Sequence, residues 1–256
     1  MADVRIEPDV QTVAELAAAE AWRVLTNVLA EHGEAVWVLA GGTAPTAAYQ
    51  VLAQKYMSRV DWSRVYVLIG DERCVPAESP DSNWGQITKL LLDPLGIPAK
   101  NRLAPPIELA SPELAAQKYA ETLSLLPKAP NGAPRLDLVW LGVGEDGHTM
   151  SLFPGRPEAN SHELVVAVHE SPKPPADRIT LTLAALGGVQ VCSVLATGAG
   201  KATAIGRALQ EDLTVPAARV AKRITETGGK VTWMLDTQAS ASSTVSATRG
   251  ETPVAP

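Results

Sequence analysis

Five largely apolar runs recur along the chain, separated by longer stretches of mixed polarity. Uninterrupted apolar runs of this length are typical of strands that are buried on both faces of a parallel sheet. The predicted strands are residues 35–40, 65–69, 136–141, 190–196 and 231–235, the last of which is expected to close the sheet. Glycines follow several of these runs, which predicts tight turns at the strand ends.

Between these runs, apolar residues recur at helical spacing. The predicted helices are residues 10–30, 43–54, 83–92, 112–126 and 202–209. Thr43 suits the N-cap of the second helix, and Pro45 suits its first turn. Strands that alternate with helices are typical of an α/β fold, and right-handed crossovers place the turns at one edge of the sheet. A binding site is therefore expected at the carboxyl ends of the strands.

The pattern contains no internal repeat and no linker that would demand two domains. Residues 1–237 are predicted to form a single α/β domain, and the Pro-rich stretch 171–175 is interpreted as an ordered surface loop. From residue 238 to residue 256 the chain is rich in Ser, Thr and Ala and poor in large apolar residues. This composition predicts a disordered tail.

Composition and charge restrict the class of partner. The 256 residues are 46% hydrophobic and 20% charged, with a net charge of −6 and a pI of about 5.3. These values argue against nucleic acid or an anionic membrane as the main partner, but they leave an anionic small molecule open. Cys74 and Cys192 show no paired spacing and are expected to be reduced thiols of a cytoplasmic protein. Because residues 1–9 are acidic and lack an apolar core, no signal peptide is expected, and no apolar stretch approaches membrane-spanning length.

The third predicted strand leads into a G-x-G-x-x-G pattern formed by Gly142, Gly144 and Gly147. This pattern is found in dinucleotide-binding turns, which open a long helix. Here a Pro-Gly pair at residues 154–155 would end such a helix after about two turns. The glycines are therefore interpreted as a tight turn whose backbone amides face the site.

The histidine that follows these glycines, His148, is the candidate for catalysis. An imidazole titrates near neutral pH, so it can act as a general acid and base. The alternative is a histidine that only satisfies hydrogen bonds within its loop. No second His or Cys stands at metal-ligand spacing from His148, so no metal is expected.

Charged residues after the second strand offer further chemistry. Asp71 could orient a base or bind sugar hydroxyls, and Arg73 could bind an anion through two hydrogen bonds. Three consecutive charges at a strand end are also common in a solvated loop. Gly41, Gly42 and Thr43 form either an amide-lined helix start that binds phosphate or a plain capped turn.

Two cations complete the candidate anion site. The segment around Lys201 resembles a nucleotide P-loop, but Leu195 occupies the place of the first glycine and Ala202 replaces the required Ser or Thr. NTP hydrolysis is thus unexpected, while Lys201 can still hold a phosphate. Arg178 either completes an anion clamp or is an exposed arginine. The inventory favours proton transfer or hydrolysis on a phosphorylated small molecule.

Five segments resemble, in order, those of the 6-phosphogluconolactonases in the glucosamine-6-phosphate isomerase/6-phosphogluconolactonase family. They are LAGGTAP, DERCVP, LGVGEDGHTMSLFPG, DRITLTLAAL and TGAGKATAI, and the match covers about residues 36–206. Met150 stands where an alanine is common, and GGTAP replaces a more usual Gly-Gly-Ser-Thr-Pro. Neither departure removes a functional group, so they bear only on the shape of the pocket.

The resemblance implies a Rossmann-like α/β fold of the sugar-phosphate isomerase and deaminase type. It also implies hydrolysis of 6-phospho-D-glucono-1,5-lactone to 6-phospho-D-gluconate, the second step of the oxidative pentose phosphate pathway, without metal or cofactor. His148 would take a proton from water and then protonate the ring oxygen. Asp71 would orient His148 or bind hydroxyls. The other implied substrate-binding residues are Gly41, Gly42, Thr43, Arg178 and Lys201 for the phosphate, with Arg73 and the Gly144 turn for the oxyanion.

Two alternatives belong to other classes. A glucosamine-6-phosphate deaminase of the same fold carries an acidic residue at the position of Phe153, so the phenylalanine favours a lactonase. A non-catalytic protein that binds sugar phosphates would not need His148. The expected partner is a small sugar phosphate, and the chain is expected to be a monomer or a weak homo-oligomer.

Overall fold

The computed structural model describes residues 2–243. Within this range the chain forms nine strands and six α-helices. The strands are β1 (Asp3–Glu7), β2 (Ala35–Leu39), β3 (Val65–Ile69), β4 (Asp71–Arg73), β5 (Leu136–Gly142), β6 (Val165–Val168), β7 (Arg178–Leu181), β8 (Val189–Ala196) and β9 (Lys230–Asp236). The helices are α1 (Val10–His32), α2 (Thr43–Lys55), α3 (Asn83–Ile87), α4 (Pro112–Ser124), α5 (Ala202–Leu209) and α6 (Pro216–Glu226).

Six strands form a fully parallel sheet in the order β1-β9-β8-β5-β2-β3. All five predicted strands belong to it. The prediction that the last of them closes the sheet is wrong, because β9 lies between β8 and β1. The unpredicted β1 forms the edge and pairs Val4 with Trp233. An edge strand needs little apolar surface, and only Val4 of β1 is buried.

Helices cover both faces of this sheet, which explains the uninterrupted apolar runs. One face packs α1 and α2 against Trp37 and Trp140 of the central strands. The other face packs α4, α5 and α6 against residues such as Val36 and Val139, which alternate with the first set. The predicted α/β fold with a parallel sheet flanked by helices is confirmed.

A second, three-stranded antiparallel sheet lies beside the carboxyl edge of the first, in the order β4-β7-β6. Gly70 separates β3 from β4, and its carbonyl oxygen accepts a hydrogen bond from the backbone N–H of Leu181. In this sheet Arg73 pairs with Arg178. Two segments that are about a hundred residues apart in the chain thus meet at the end of β3.

Apart from shifts of one or two residues at helix ends, the helices differ from the predictions in three respects. Thr43 is the first residue of α2 rather than its N-cap, because Gly42 occupies the cap position with φ +108°. The predicted helix 83–92 is α3 followed by one π-helical turn, Thr88–Leu92. Helix α6 was not predicted, although a proline in its first turn and apolar residues at helical spacing indicate it.

The ordered chain extends past the predicted domain end at residue 237. Residues 238–242 form turns, and buried Ala239 donates its N–H to Asp236 Oδ1 at 2.7 Å. At Ala239 the chain therefore still packs on the domain, whereas the tail was predicted to begin at residue 238. The remainder of that tail, residues 244–256, lies outside the described residues. From residue 2 to residue 243, no helix combines the length and the apolar character needed to cross a membrane.

Candidate active site

The turns that follow β2, β3, β5 and β8 line one cleft of about 920 Å³, including its open mouth. These four strands are neighbours in the parallel sheet, so their carboxyl ends meet at one edge. All the residues predicted for the site line this cleft. They are Gly41, Gly42, Thr43, Asp71, Arg73, Gly144, His148, Arg178 and Lys201.

The turn after β5 is closed by its own backbone. The N–H of Gly144 donates to the carbonyl oxygen of His148 at 2.7 Å, and the N–H of Gly147 donates to that of Gly144 at 2.9 Å. A Cβ on Gly144 would lie 2.0 Å from His148 Nδ1, so only glycine leaves room for the imidazole. The predicted role of the Gly144 amide as a substrate donor is therefore corrected, since that N–H is already bonded. Residue 144 instead makes space for the histidine.

His148 is oriented by a carboxylate from the same turn. Its Nδ1 lies 2.5 Å from Asp146 Oδ1, and the two residues are separated only by Gly147. A neutral imidazole that donates from Nδ1 leaves its Nε2 lone pair free. Within residues 2–243, Nε2 has no hydrogen-bond partner. This nitrogen is not buried, so it is open to solvent.

The surroundings of His148 favour the neutral imidazole. Burial is the largest influence and lowers the pKa of His148, whereas the hydrogen bond and the charge of Asp146 raise it. The result is a pKa below the ordinary value. Phe153 contributes to this burial, because its ring centroid lies 4.7 Å from that of the imidazole. A lowered pKa keeps His148 in the form that can accept a proton at neutral pH.

Asp71 does not bond to His148. Its Oδ2 accepts a hydrogen bond from Ser151 Oγ at 2.5 Å and lies 3.9 Å from Arg178 Nη1. Of the two roles that the sequence left open for Asp71, orientation of the base thus falls to Asp146 in this structure. Asp71 lines the cleft with its second oxygen, Oδ1, free of protein partners among residues 2–243.

Arg178 is buried, with 3% of its surface exposed, so it is not the exposed arginine that the sequence allowed. Its Nη2 donates to the carbonyl oxygens of Lys173 and Pro174, and its Nε donates to that of Pro175. Nη1 lies 3.3 Å from Ser151 Oγ. Most of the guanidinium donors are therefore bonded within the protein. This limits the predicted part of Arg178 in an anion clamp, because at most one edge of its guanidinium is left to face the cleft.

Two other parts of the cleft remain able to bind an anion. Helix α2 begins without a side-chain cap, so the N–H groups of Thr43 and Ala44 have no partner within residues 2–243 and are donors at the cleft. Lys201 precedes α5, and no hydrogen bond or ion pair of its ammonium occurs within residues 2–243. Burial lowers the pKa of Lys201, while the charge of Glu145 raises it. A desolvated ammonium of this kind gains from a bound phosphate.

Arg73 is held in place by a buried acid that the sequence did not single out. Glu72 is fully buried and accepts hydrogen bonds from the N–H groups of Arg73 and Asn83 at 2.7 and 2.9 Å. Arg73 Nη1 donates to the carbonyl oxygen of Asp81. The two flanking residues of this network, Arg73 and Asn83, both line the cleft.

Four functional residues were missed from the sequence. Asp146 stands two residues before His148, which is a local signal that could have been used. Asn83 and Lys173 line the cleft only through the tertiary fold, so no local pattern indicates them. Ser151 is fully buried and donates to Asp71, and its place three residues after His148 is again a local signal. In the described part of the chain, no group of three or more His, Cys, Asp or Glu side chains is arranged to hold a metal ion. Activity without a metal or cofactor stays a prediction.

Comparison with known proteins identifies relatives over nearly the whole chain. Residues 8–233 match the family described as glucosamine-6-phosphate isomerases/6-phosphogluconolactonase. The 6-phosphogluconolactonase of Mycobacterium tuberculosis is 33% identical over 246 residues, which cover 93% of this chain and 97% of that protein. That of Streptomyces coelicolor is 34% identical, with coverage of 91% and 92%. The solved 6-phosphogluconolactonase of Trypanosoma brucei is 26% identical, with a TM-score of 0.78 and coverage of 94% and 98%.

Proposed function

The chain belongs to the glucosamine-6-phosphate isomerase/6-phosphogluconolactonase family, and from this premise we propose that it is a 6-phosphogluconolactonase. It hydrolyses 6-phospho-D-glucono-1,5-lactone to 6-phospho-D-gluconate by general acid/base catalysis at His148. The observation that carries the mechanism is the Asp146–His148 pair, with Nδ1 bonded and Nε2 open to the cleft.

The phosphate binds at the cationic and amide-lined parts of the cleft. Lys201 supplies a charge, and the start of α2, with its N-cap Gly42, supplies the N–H donors of Thr43 and Ala44. Contacts to the phosphate lie away from the reacting carbonyl. Their binding energy therefore serves to orient the lactone toward His148.

The reaction takes two proton transfers at one atom. His148 Nε2 accepts a proton from a water molecule as the water oxygen bonds to the lactone carbonyl carbon. Asp146 stabilises the imidazolium that forms. The C1–O5 bond then breaks, and His148 Nε2–H returns the proton to the departing ring oxygen, which leaves the carboxyl group and a free hydroxyl. Arg73 is placed to stabilise the oxyanion in between.

Phe153 favours this reaction over amine loss by a deaminase. In a deaminase of this family the position carries an acid, whereas here the phenylalanine ring lies between His148 and the Arg178 guanidinium, whose Cζ is 5.7 Å from the ring centroid. An apolar ring cannot transfer a proton. A non-catalytic sugar-phosphate binder is disfavoured because it would not need an oriented, open imidazole.

We also propose a place in metabolism, a compartment and an oligomeric state for this enzyme. The reaction is the second step of the oxidative pentose phosphate pathway and takes place in the cytoplasm. The protein acts as a monomer or a weak homo-oligomer. The two cysteines support a reducing compartment, since Cys192 is buried and both thiols are free.

The direct test supplies the purified protein with freshly generated 6-phosphogluconolactone. Acid release is followed in a weakly buffered solution and compared with spontaneous hydrolysis in the absence of protein. We expect a rate well above the background that is proportional to the protein concentration. A rate equal to the background, with glucosamine 6-phosphate deaminated instead, would contradict the proposal.

A further inference from the structure

The Pro-rich stretch noted in the sequence belongs to a tightly held segment, residues 169–178, which we call the strap. It connects β6 to the first residue of β7, and its Lys173 lines the cleft. At its base the His169 imidazole bridges Glu113 and Asp177, with Nε2 and Nδ1 at 2.6 and 2.8 Å from their carboxylate oxygens. The N–H of Ser171 also donates to the carbonyl oxygen of Ala176.

The strap is fixed most strongly at Lys173. The carbonyl oxygen of Lys173 accepts one hydrogen bond from Ser171 Oγ at 2.8 Å and another from the buried Arg178 Nη2 at 2.9 Å. A buried arginine that donates to three successive carbonyl oxygens is a costly way to hold an ordinary surface loop, since its charge is desolvated. We therefore expect the Lys173 side chain to have a function.

The Lys173 ammonium reaches the catalytic pair. Its Nζ lies 3.7 Å from Asp146 Oδ1, the oxygen that is bonded to His148 Nδ1. The same side chain lines the cleft. Lys173 of the strap therefore meets Asp146 and His148 of the turn after β5 at one atom, Asp146 Oδ1.

We propose that Lys173 is a positioning residue, which holds Asp146 in the charged state and in the orientation that aligns His148 for proton transfer. The role rests on the proposed function of His148. It differs from a substrate-binding role, because Lys173 acts on the reaction through the Asp146–His148 pair and does not need to touch the phosphate.

The charge of Lys173 changes the pKa of His148 in a direction that can be stated. Burial lowers the pKa of His148 most, Asp146 raises it, Lys173 lowers it and Asp71 raises it. Burial also raises the pKa of Asp146, but the hydrogen bond from His148 and the charges of His148 and Lys173 more than offset this. Lys201 also lies close enough for its charge to interact with those of Glu145, Lys173 and Asp146. Removal of the Lys173 charge should therefore raise the pKa of His148.

The test is a titration of the His148 ring by NMR in the full-length chain. The His148 signal is assigned by its loss in a His148→Gln variant, because the chain has four histidines. We expect Lys173→Met to move the His148 titration to higher pH and Lys173→Arg to restore it. Lys222→Met, at an exposed ion pair on α6, is the control and should leave the titration unchanged.

Kinetics then show whether the shift reaches the reaction. The acid limb of kcat/KM should move to higher pH in Lys173→Met by the shift seen for His148, while the affinity for 6-phosphogluconate changes less than about threefold. An unchanged His148 titration would overturn the proposal. So would a large loss of 6-phosphogluconate affinity with an unchanged titration, which would make Lys173 a phosphate ligand. The titration does not require lactonase activity, so its failure is distinguishable from failure of the proposed function.

Discussion

His148 combines two properties that rarely occur together in a histidine that is only structural. One ring nitrogen is fixed by Asp146 at 2.5 Å, and the other is free of partners within residues 2–243 and faces the cleft. Burial lowers its pKa while Asp146 opposes that change. The imidazole is therefore neutral near pH 7 but can still accept a proton when a bound substrate presents water.

At this scale, Asp146→Asn tests the orientation of the imidazole. An asparagine can bond to Nδ1 but carries no charge to stabilise the imidazolium, so we expect kcat to fall roughly 10²-fold with little change in KM. Because the carboxylate raises the pKa of His148, its loss should also move the acid limb of kcat to lower pH. Steady-state rates across pH measure both effects.

The matched control for this variant is Glu145→Gln, one residue earlier in the same turn, whose carboxylate contacts Gly200 instead of His148. It should change kcat far less. Equal losses in the two variants would mean that general disruption of the turn explains the effect of Asp146→Asn.

Lys201→Ala tests the phosphate site. The ammonium has no partner within the described chain, so its removal should leave the fold intact while a charge-assisted contact to the ligand is lost. We expect the Kd for 6-phosphogluconate to rise about tenfold or more by calorimetry, whereas turnover of unphosphorylated gluconolactone falls little. If the substitution impaired both ligands equally, Lys201 would not be a contact of the phosphate.

At the scale of elements, tyrosines from two helices complete the ends of two neighbouring strands. Tyr49 of α2 accepts a hydrogen bond from Ala40 N–H and donates to Ala40 C=O, just where β2 turns into the cleft. Tyr119 of α4 does the same for Ile69 at the end of β3. Each helix thereby fixes the backbone that leads into a site turn.

Tyr49→Phe removes both bonds to Ala40 and leaves a buried N–H and C=O unpartnered. We expect the free energy of unfolding in urea to fall by about 1–3 kcal/mol. Tyr66→Phe is the control, because the Tyr66 hydroxyl makes no hydrogen bond within residues 2–243 while its ring packs on the core. A loss for Tyr49→Phe no larger than that for Tyr66→Phe would contradict this role.

The longer strands that are buried on both faces could be predicted from the sequence, whereas the edge strand and the short strands could not. The five central strands read as apolar runs, whereas β1 buries only Val4 and strands β4, β6 and β7 span three or four residues each. The site residues were predicted because turns at strand ends share one edge of a parallel sheet. The hydrogen bonds of these residues could not be predicted. No local pattern shows that the Arg178 guanidinium donates to the carbonyl oxygens of the loop that precedes it.

At the scale of the whole molecule, the parallel sheet brings four turns from distant parts of the chain to one cleft, and the small antiparallel sheet closes its side. The cleft places anion-binding groups around a single open imidazole. The acidic net charge of −6 does not prevent this, because a local set of lysine and arginine side chains determines the field at the site. Binding and chemistry should therefore be separable by substitution.

The most direct measurement compares His148→Ala with the unaltered protein for hydrolysis of fresh 6-phosphogluconolactone, with spontaneous hydrolysis subtracted, and for binding of 6-phosphogluconate. We predict that kcat falls by about 10²- to 10⁴-fold while the Kd for 6-phosphogluconate stays within a few-fold. Hydrolysis at close to the original rate by the alanine variant would contradict the account, because no other group in the cleft is assigned to move the proton.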